Sequence, residues 1–367
     1  MVQHFSQSKA YRDIDVVTVA KFSNEQAHEV FCRARWGSSE IVGCPYCGAV
    51  AKHYVRKRRQ QWRCKECDGI FSVTTGTPLA NRRLTFDKLL VLIFMFIAAP
   101  KSESANKIHS TVGVTMRTAY VLYGKLREAL WQQRDLTPLT GVVHIDGGHF
   151  CGKPRRPRRR TKMSSFAVNA KLRNRKASIA PPQKGYRIEP WNAKKLKNRR
   201  VVLVMRELAQ AQRAGALRTR VVIVKAETAS NVLGAIRANV SPSATIMTDE
   251  SSAYTQLNGW FNHETVKHSE TYSTPESVNQ NQAESYFARL RRAEFGVFHG
   301  MRRQYFALYA YEMAWREDVR KMSLNAKFTE LLRILMKSGL SATWRGYNQG
   351  HRLLKEYDGL PEGQHEV

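Results

Sequence analysis

Three acidic residues have the type and the setting needed to hold divalent cations. Asp146 and Asp249 each end an apolar, strand-like run, and Glu284 follows 35 residues after Asp249 in a helical stretch. Acids are scarce in this chain of 367 residues, which has 30 Asp or Glu against 60 Lys or Arg. Three carboxylates brought together repel one another unless cations lie between them. Two Mg²⁺ or Mn²⁺ ions about 4 Å apart would then activate a hydroxyl or water for displacement at phosphorus.

A basic side chain is placed to serve the same chemistry. Arg291 stands seven residues after Glu284, and seven residues make two helical turns, so both side chains share a helix face. We expect Arg291 to hold a substrate phosphate beside the metals. Each acid read singly is an ordinary turn, cap or surface residue; the order and setting of all three favour a catalytic site.

The charge of the chain indicates its partner. A net charge of +30 and a pI near 10.2 suit a protein that meets phosphate, so DNA is the expected partner. A membrane is not expected, since no basic amphipathic helix or lipidation signal is present. The longest apolar run, Leu89 to Ala99, is shorter than the ~20 residues that span a bilayer and predicts a buried helix. With no secretory signal, we expect a cytoplasmic protein of a bacterial nucleoid.

Four cysteines have the spacing of a zinc ribbon. Two C-x-x-C pairs are separated by 16 residues and offer four thiolates to one tetrahedral Zn²⁺: Cys44, Cys47, Cys64 and Cys67. Residues 53–63 between them predict a hairpin rich in basic and aromatic side chains. This hairpin either contacts DNA, which we favour, or only braces the fold. Cys32 and Cys151 have no partner pattern and predict ordinary packing.

Helical patterns follow the ribbon. Helices are predicted over 84–99, 102–110 and 115–131, with a turn at Gly113 between the last two. This is a helix-turn-helix-like pattern packed through Ile108, Val112, Val114 and Ala119. DNA contact is favoured because Lys107, Arg117 and Lys125 fall on this unit, and the alternative is a hairpin that only packs on the core.

The order of elements after residue 140 predicts a ribonuclease-H-like domain. Strands are predicted over 141–146, 201–206 and 219–225, then a helix over 230–240 and a strand over 244–249. In that order the first and fourth strands lie side by side. Their ends would bring Asp146 and Asp249 together, and Glu284 would come from a helix packed on the sheet.

A basic insertion separates the first two strands. Residues 152–200 hold 18 Lys or Arg against one acid, Glu189. We expect this segment to clamp DNA beside the active site; the alternative is a solvated loop that only aids solubility.

These residues resemble bacterial insertion-sequence transposases with an N-terminal zinc ribbon and an integrase-like DDE domain. The resemblance covers roughly Cys44 to Asp318 and rests on the cysteine pairs, the three acids and the following segments: Phe71–Pro78, Thr248–Tyr254, Val266–His268, Asn281–Arg291 and Tyr311–Arg316. It implies that Asp146, Asp249 and Glu284 bind metal and that Arg291 is the basic residue after the third acid. This chain departs from the family at Gly147, where an acid is common, and at Arg291, where Lys is usual.

The expected fold is a multidomain α/β protein with a zinc ribbon, a helix-turn-helix-like helical unit and a ribonuclease-H-like mixed-sheet catalytic domain. Five units are predicted: a helical lead-in (1–40), the zinc ribbon (41–76), the helix-turn-helix-like unit (77–135), the catalytic domain (140–322), and a C-terminal helix with a tail (323–367). The expected function is metal-dependent cleavage and joining of DNA by an oligomer that holds two element ends. The rivals are a metal-dependent nuclease or resolvase, and a zinc-ribbon DNA-binding regulator without catalysis.

Overall fold

The computed structural model describes residues 5–151, 199–209, 215–265, 281–353 and 356. Most of the predicted basic insertion, the family-like segment Val266–His268 and the tail after residue 356 lie outside the described residues. The last two residues of that predicted insertion, Arg199 and Arg200, belong to a strand.

The described residues form nine α-helices and ten β-strands. The helices are α1 (Val16–Ala20), α2 (Asn24–Trp36), α3 (Phe86–Ala98), α4 (Ala105–Val112), α5 (Met116–Gln132), α6 (Ala229–Asn239), α7 (Asn281–Ala293), α8 (Phe306–Asp318) and α9 (Leu324–Lys337). The strands are β1 (Val42–Gly43), β2 (Val50–Ala51), β3 (Tyr54–Arg56), β4 (Gln61–Arg63), β5 (Ile70–Ser72), β6 (Val142–Cys151), β7 (Arg199–Leu208), β8 (Ala216–Val224), β9 (Thr245–Thr248) and β10 (Asn262–Thr265). The fold is therefore mixed α/β, as predicted.

The cysteine-rich region is a small antiparallel unit. Strands β1 and β2 pair as one hairpin, and β3, β4 and β5 form a three-stranded sheet. The hairpin predicted over 53–63 is confirmed, with Tyr54 opposite Arg63. All three residues of β3 are exposed, so the basic and aromatic side chains of this strand face outward.

The main sheet has the strand order β10-β9-β6-β7-β8. Strands β6, β7 and β8 are antiparallel neighbours, whereas β9 runs parallel to β6 and β10 runs parallel to β9. The predicted adjacency of the first and fourth strands is confirmed. Strand β10 was not predicted, because Asn262–Thr265 is a polar edge strand with no buried position and no apolar run.

The segment between the ribbon and the main sheet is helical. Helix α3 buries eight of its 13 residues, which confirms the interior helix predicted from the apolar run. Helices α4 and α5 meet at Gly113, whose φ of +68° lies in the left-handed region that glycine adopts at helix ends. Ile108, Val114 and Ala119 are buried between them as expected. No helix in the described part of the chain is both long and apolar enough to cross a bilayer.

The largest hydrophobic core crosses the predicted boundaries between units. It combines helix α2, the ribbon residues Trp62 and Phe71, helices α3 to α5 and helix α9. The backbone amide of Leu324, at the start of α9, donates to the carbonyl of Tyr11 at 2.9 Å. Segments that the sequence assigns to four separate units thus form one body, here called the helical body. Two further cores lie against the main sheet, one packed by α7 and α8 and the other by α6.

Buried charges join the helical body to helix α8, which packs on the main sheet. Glu312 of α8 is fully buried and accepts from Arg127 of α5 at 2.6 Å and from Arg316 at 2.8 Å. Arg316 also donates to the carbonyls of Phe96 and Ala99 at the end of α3, both at 2.6 Å. This network pairs one buried carboxylate with two guanidinium groups and fixes α8 against two helices of the helical body.

Candidate functional site

Two parallel strands bring Asp146 and Asp249 to the same level of the sheet. The ladder pairs Val142 with Thr245 and His144 with Met247, so continuing this register by two residues sets Asp146 opposite Asp249. Asp249 follows directly after the last residue of β9. Its carboxylate accepts from the backbone amide of Ser251 at 3.1 Å, which fixes the side chain at the strand end.

Helix α7 supplies the third predicted acid from one face of the sheet. Tyr286, Phe287 and Leu290 are buried in the core on that face, whereas Glu284 and Arg291 are exposed. This amphipathic pattern orients the helix. It places Glu284 and Arg291 on the same exposed face, which confirms the spacing argument.

A glycine allows this helix to lie close to the strand that carries Asp146. A Cβ atom built on Gly148 would lie 2.4 Å from the ring of Phe287, a distance that side chains do not adopt. Gly148 follows Asp146 by two residues, so both face the helix side of the sheet. Phe287 follows Glu284 by three residues and therefore neighbours it on the helix. The close packing of Gly148 and Phe287 thus sets how near Glu284 lies to Asp146.

The electrostatics of Asp146 are those of a carboxylate among other carboxylates. The pKa of Asp146 is raised from 3.8 to about 7. Burial is the largest cause, and the negative charges of Asp249, Glu227 and Glu284 act in the same direction. The backbone amide of Gly147, which donates to Asp146 at 2.7 Å, acts in the opposite direction. The structure therefore brings the three predicted acids into one electrostatic cluster.

Glu227 is a fourth acid of this cluster that sequence reasoning missed. Its carboxylate accepts from the buried hydroxyl of Tyr254 at 2.8 Å and lies 3.9 Å from Nε2 of His149. It occupies the space where a side chain at position 147 would begin, since a Cβ on Gly147 would lie 2.3 Å from Glu227 Oε1. Glu227 stands in a connection after β8 that has no recognisable motif. Its only sequence signal is the glycine at 147, where related chains commonly carry an acid.

The donor set suits a hard divalent cation. The four side chains offer only carboxylate oxygens, and their mutual repulsion is relieved when a cation is bound. In the described residues, the cysteines of the ribbon alone form a set of three or more possible metal ligands with all ligand atoms within 4.8 Å, and the acids around Asp146 do not form such a set.

Arg291 lies two turns after Glu284 on helix α7. Its guanidinium carbon is 5.7 Å from the ring centroid of Phe287 and 5.8 Å from that of Phe150. Both distances are within the range of a cation–π contact, which keeps the charged group above the aromatic surface. The side chain is exposed, and an exposed, always charged fork is suited to a phosphate oxygen.

The ribbon cysteines are arranged for zinc. Sγ of Cys44 lies 3.7 Å from Sγ of Cys67, and Sγ of Cys47 lies 3.5 Å from Sγ of Cys64. Four sulfurs at ~2.3 Å from a tetrahedral Zn²⁺ would be ~3.8 Å apart, so these distances fit the ion. The backbone amides of Cys67 and Glu66 lower the pKa of the Cys64 thiol to about 6, whereas burial and hydrogen bonds with the neighbouring cysteines raise that of Cys67 to about 12. Zinc binding would therefore release protons from the set, because the ion requires thiolates.

The turns of the two cysteine pairs differ from each other. Gly48 has a φ of +78°, as a tight turn after the first pair requires. After the second pair the left-handed residue is Asp68, with a φ of +55°, and not the glycine that follows it. Gly69 is instead the point of closest approach to the ring of Tyr46, where a Cβ would lie 2.6 Å away.

The basic residues of the helix-turn-helix are not equally exposed. Lys107 and Arg117 are exposed, and Lys107 pairs with Glu103 at 2.6 Å. Lys125 is half-buried, and burial lowers the pKa of its ammonium group. Of the three residues on which the expectation of DNA contact rests, Lys125 is thus the least accessible.

Two comparisons with protein families identify the parts of this chain. Residues 138–318 match the ISXO2-like transposase domain, and residues 22–69 match the transposase zinc-ribbon domain. Neither the curated proteins nor the solved structures include a match. The two matched domains stand in the predicted order and contain the acidic cluster and the four cysteines. The chain belongs to the insertion-sequence transposases that combine an N-terminal zinc ribbon with a DDE domain.

Proposed function

We propose that this transposase binds the ends of its insertion sequence, cuts a DNA strand there and joins the 3′ end to target DNA. The observation that carries this proposal is the electrostatic cluster of Asp146, Asp249 and Glu284 inside a matched transposase domain. Cutting and joining are both displacements at phosphorus, so one site serves both steps. The proposal makes the chain a metal-dependent polynucleotidyl transferase.

The three acids are proposed to hold two Mg²⁺ or Mn²⁺ ions. When bound, the ions lower the pKa of a water or 3′-hydroxyl and stabilise the leaving oxygen. Asp146 contributes through its charged form, because a cation beside the carboxylate opposes the effect of burial and of the neighbouring acids. Asp249 and Glu284 hold the same ions from the strand end and from helix α7.

Arg291 is proposed to bind the phosphate that reacts. Its side chain is exposed on the Glu284 face of α7, and the rings of Phe150 and Phe287 support its guanidinium group. A guanidinium in this position offers two N–H donors to two phosphate oxygens, which orients the phosphorus relative to the acids. The same contact neutralises charge that builds up on the phosphate during the displacement.

DNA recognition is assigned to residues 41–135, which form the ribbon and the helix-turn-helix. Arg56, Arg63 and Lys65 are exposed around a groove on the ribbon sheet, beside the exposed ring of Tyr54. Arg117 is exposed in the first turn of α5, the helix that corresponds to a recognition helix. Zn²⁺ held by Cys44, Cys47, Cys64 and Cys67 has no open position and is proposed to serve the fold of the ribbon alone.

Synapsis is proposed to require more than one copy of the chain. Two element ends have to be held together before joining, and each end needs its own recognition unit. We therefore expect a homo-oligomer on DNA. The basic segment 152–198 is proposed to hold DNA beside the acidic cluster, on the strength of its charge in the sequence.

A strand-transfer assay tests this function. Labelled duplexes from the ends of the element are incubated with target DNA, Mg²⁺ and either wild-type protein or the Asp249→Asn variant. Glu250→Gln is the matched control, since Glu250 is the adjacent acid and is exposed. Joined product from wild type and Glu250→Gln, with loss of about 10³-fold or more in Asp249→Asn, is the expected result.

Other outcomes identify the rival functions. Cut DNA without joined product would favour a nuclease or resolvase. Equal binding by all three proteins with no reaction in any of them would favour a DNA-binding regulator. Equal joining by wild type and Asp249→Asn would remove Asp249 from the active site.

A further inference from the structure

A second cavity lies between the helix-turn-helix and the segment that follows helix α7. Its volume is about 660 Å³, and it is partly open to solvent. The first turn of α4 and one side of α5 form one wall. The opposite wall is the π-helical turn Glu294–Phe298 with His299 and Gly300, which continues directly from α7. The cavity therefore joins the recognition unit to the helix that carries Glu284 and Arg291.

Aromatic rings line this cavity. Tyr120, Phe298, Tyr309 and Tyr347 all contribute to its surface. The ring of Tyr120 lies 5.7 Å from that of Tyr347, and the ring of Phe298 lies 4.7 Å from that of Tyr309. Tyr120, Phe298 and Tyr347 are only partly buried. Arg352 lies 3.6 Å from the ring centroid of Tyr347 and Arg127 lies 5.2 Å from that of Phe298, so a further flat group would contact the parts of these rings that the two arginines leave uncovered. Aromatic surface of this kind is what a stacked ring prefers.

An exposed arginine stands at the rim of the cavity. Arg302 lines the cavity and is exposed. Arg127 also lines it, but it pairs with the buried carboxylate of Glu312, and Lys107 pairs with Glu103. A phosphate at the rim would therefore meet Arg302 first.

We propose that this cavity receives one base that is unstacked from the bound DNA. A base is flat and carries its phosphate outside the stack, and the aromatic walls and Arg302 complement these two properties. Stacking on aromatic side chains compensates for lost stacking in the duplex. This inference rests on the DNA binding of the proposed function and adds how an element end is held.

The position of the base relative to the reacting phosphate follows from the helix. Phe298 stands 14 residues after Glu284 along α7 and its π-helical continuation. At a rise of ~1.5 Å per residue these residues span about 20 Å. One DNA strand advances ~3.4 Å per nucleotide, so the base should lie about six nucleotides from the reacting phosphate.

The test measures affinity for end DNA in which single bases are missing. A set of duplexes carries one abasic nucleotide each, moved along either strand, and binding is measured without divalent metal. Removing the base opposite the unstacked one abolishes its pairing and lowers the cost of extrusion. We expect wild-type protein to bind about tenfold more tightly at a single abasic position, and no more tightly at the others.

Variants of the cavity lining define the cause. Phe298→Leu and Tyr120→Leu should lose about tenfold in affinity for intact end DNA and should lose the preference for the abasic duplex, because the stacking surface is removed. Phe295→Leu is the matched control: Phe295 is in the same π-helical turn but is 73% exposed and outside the cavity.

The outcomes separate this inference from the function on which it rests. If wild-type protein prefers end DNA to random DNA but no abasic position strengthens binding, the base cavity is wrong and end recognition stands. If Phe298→Leu and Phe295→Leu behave alike, the cavity is likewise not the site. If wild-type protein does not distinguish end DNA from random DNA, both proposals fail.

Discussion

The ring of Phe287 fills the space that a side chain at Gly148 would take. The approach is so close that a Cβ on Gly148 would lie 2.4 Å from the ring, and the strand and helix in contact carry Asp146 and Glu284. The distance between two proposed metal ligands thus depends on a residue with no functional group of its own. Chemistry at phosphorus needs reacting groups within a few tenths of an ångström, so this contact has functional weight.

Gly148→Ala should separate helix α7 from strand β6. Overpacking of this kind costs ~1–3 kcal/mol, and a displacement of about 1 Å at a reacting centre costs about 10²-fold in rate. We expect Tm to fall and joined product to fall about 10²-fold while DNA affinity is retained. Gly234→Ala in α6 is the control, since a Cβ there meets no atom within 4 Å. An unchanged yield of joined product in Gly148→Ala would show that helix and strand adjust without cost to the site.

Stability without metal should depend on the ionisation of Asp146. Its pKa is raised from 3.8 to about 7, so between these values the folded state binds a proton more strongly than the unfolded state. Unfolding free energy therefore falls as pH rises through this window. Asp146→Asn should match wild type near pH 4 and should be more stable than wild type above pH 7. Tm is measured for both proteins in EDTA across this range. The difference between the two Tm values isolates Asp146, because Asp318, whose pKa is also raised to about 7, contributes equally to both proteins.

Divalent metal should reverse that difference. At pH 8, Mg²⁺ or Mn²⁺ should raise the Tm of wild type because it binds the charged acids of the folded state, and it should raise Tm much less in Asp146→Asn. A metal-induced shift of equal size in both proteins would mean that the ion binds elsewhere.

Glu227→Gln should lower the pKa of Asp146. The substitution removes one of the negative charges that act on Asp146 and leaves an amide oxygen to accept from Tyr254. The fall in stability with pH should then be completed at a lower pH than in wild type. Tyr254→Phe is the companion variant, because it removes the hydrogen bond and retains the charge. Coincident pH profiles for wild type and Glu227→Gln would contradict the electrostatic coupling of these two acids.

Glu312→Gln should strongly destabilise the protein. Glu312 is fully buried between Arg127 and Arg316, and the variant would leave two buried guanidinium groups without a counter-charge. Breaking a buried ion pair by changing one partner costs ~3–5 kcal/mol, which denaturant unfolding would detect. Glu40→Gln, which breaks an exposed pair with Lys52, should change stability by less than about 1 kcal/mol. Equal stability of the two variants would contradict a structural role for the network.

Zinc content should follow the ribbon cysteines. Purified protein should hold one Zn²⁺ per chain by elemental analysis, and Cys64→Ser should lose it together with the Tm contribution of the ribbon. Cys151→Ser is the control, because Cys151 lies in the main sheet and outside the cysteine cluster. Retention of a full equivalent of zinc by Cys64→Ser would exclude the four-cysteine site.

The elements of the active site were predictable where the sequence has a simple pattern. Strand β9 is an apolar run that ends directly before Asp249, and α7 has a strong helical pattern around Glu284. The prediction that Asp146 ends its strand was wrong, because β6 continues beyond it to Cys151. Strand β10 escaped prediction because it is a polar edge strand with no apolar run. Glu227 escaped because its place depends on the missing side chain at position 147, which is a relation between distant residues and not a local motif.

The division into units was harder to predict from sequence. Helix α9 is amphipathic, but its pattern does not identify its partner. The structure packs Leu331 and Leu335 of α9 into the same core as helices α2 and α3, which begin 300 and 238 residues earlier in the chain (324 − 24 and 324 − 86). Such a long-range contact leaves no trace in local spacing, so a prediction by segments assigned α9 to a separate C-terminal unit.

Helix α9 also makes the order of synthesis matter. The ribosome releases the ribbon and helices α1 to α5 long before Leu324–Lys337 emerges, so the core that they share with α9 is incomplete for most of translation. A product that stops after the catalytic domain would expose the buried faces of α2 and α3. Such a product would be prone to aggregation and degradation, and it would not persist as a partial transposase that still binds DNA. Completion of the polypeptide thus acts as a condition for the helical body to reach its final packed state.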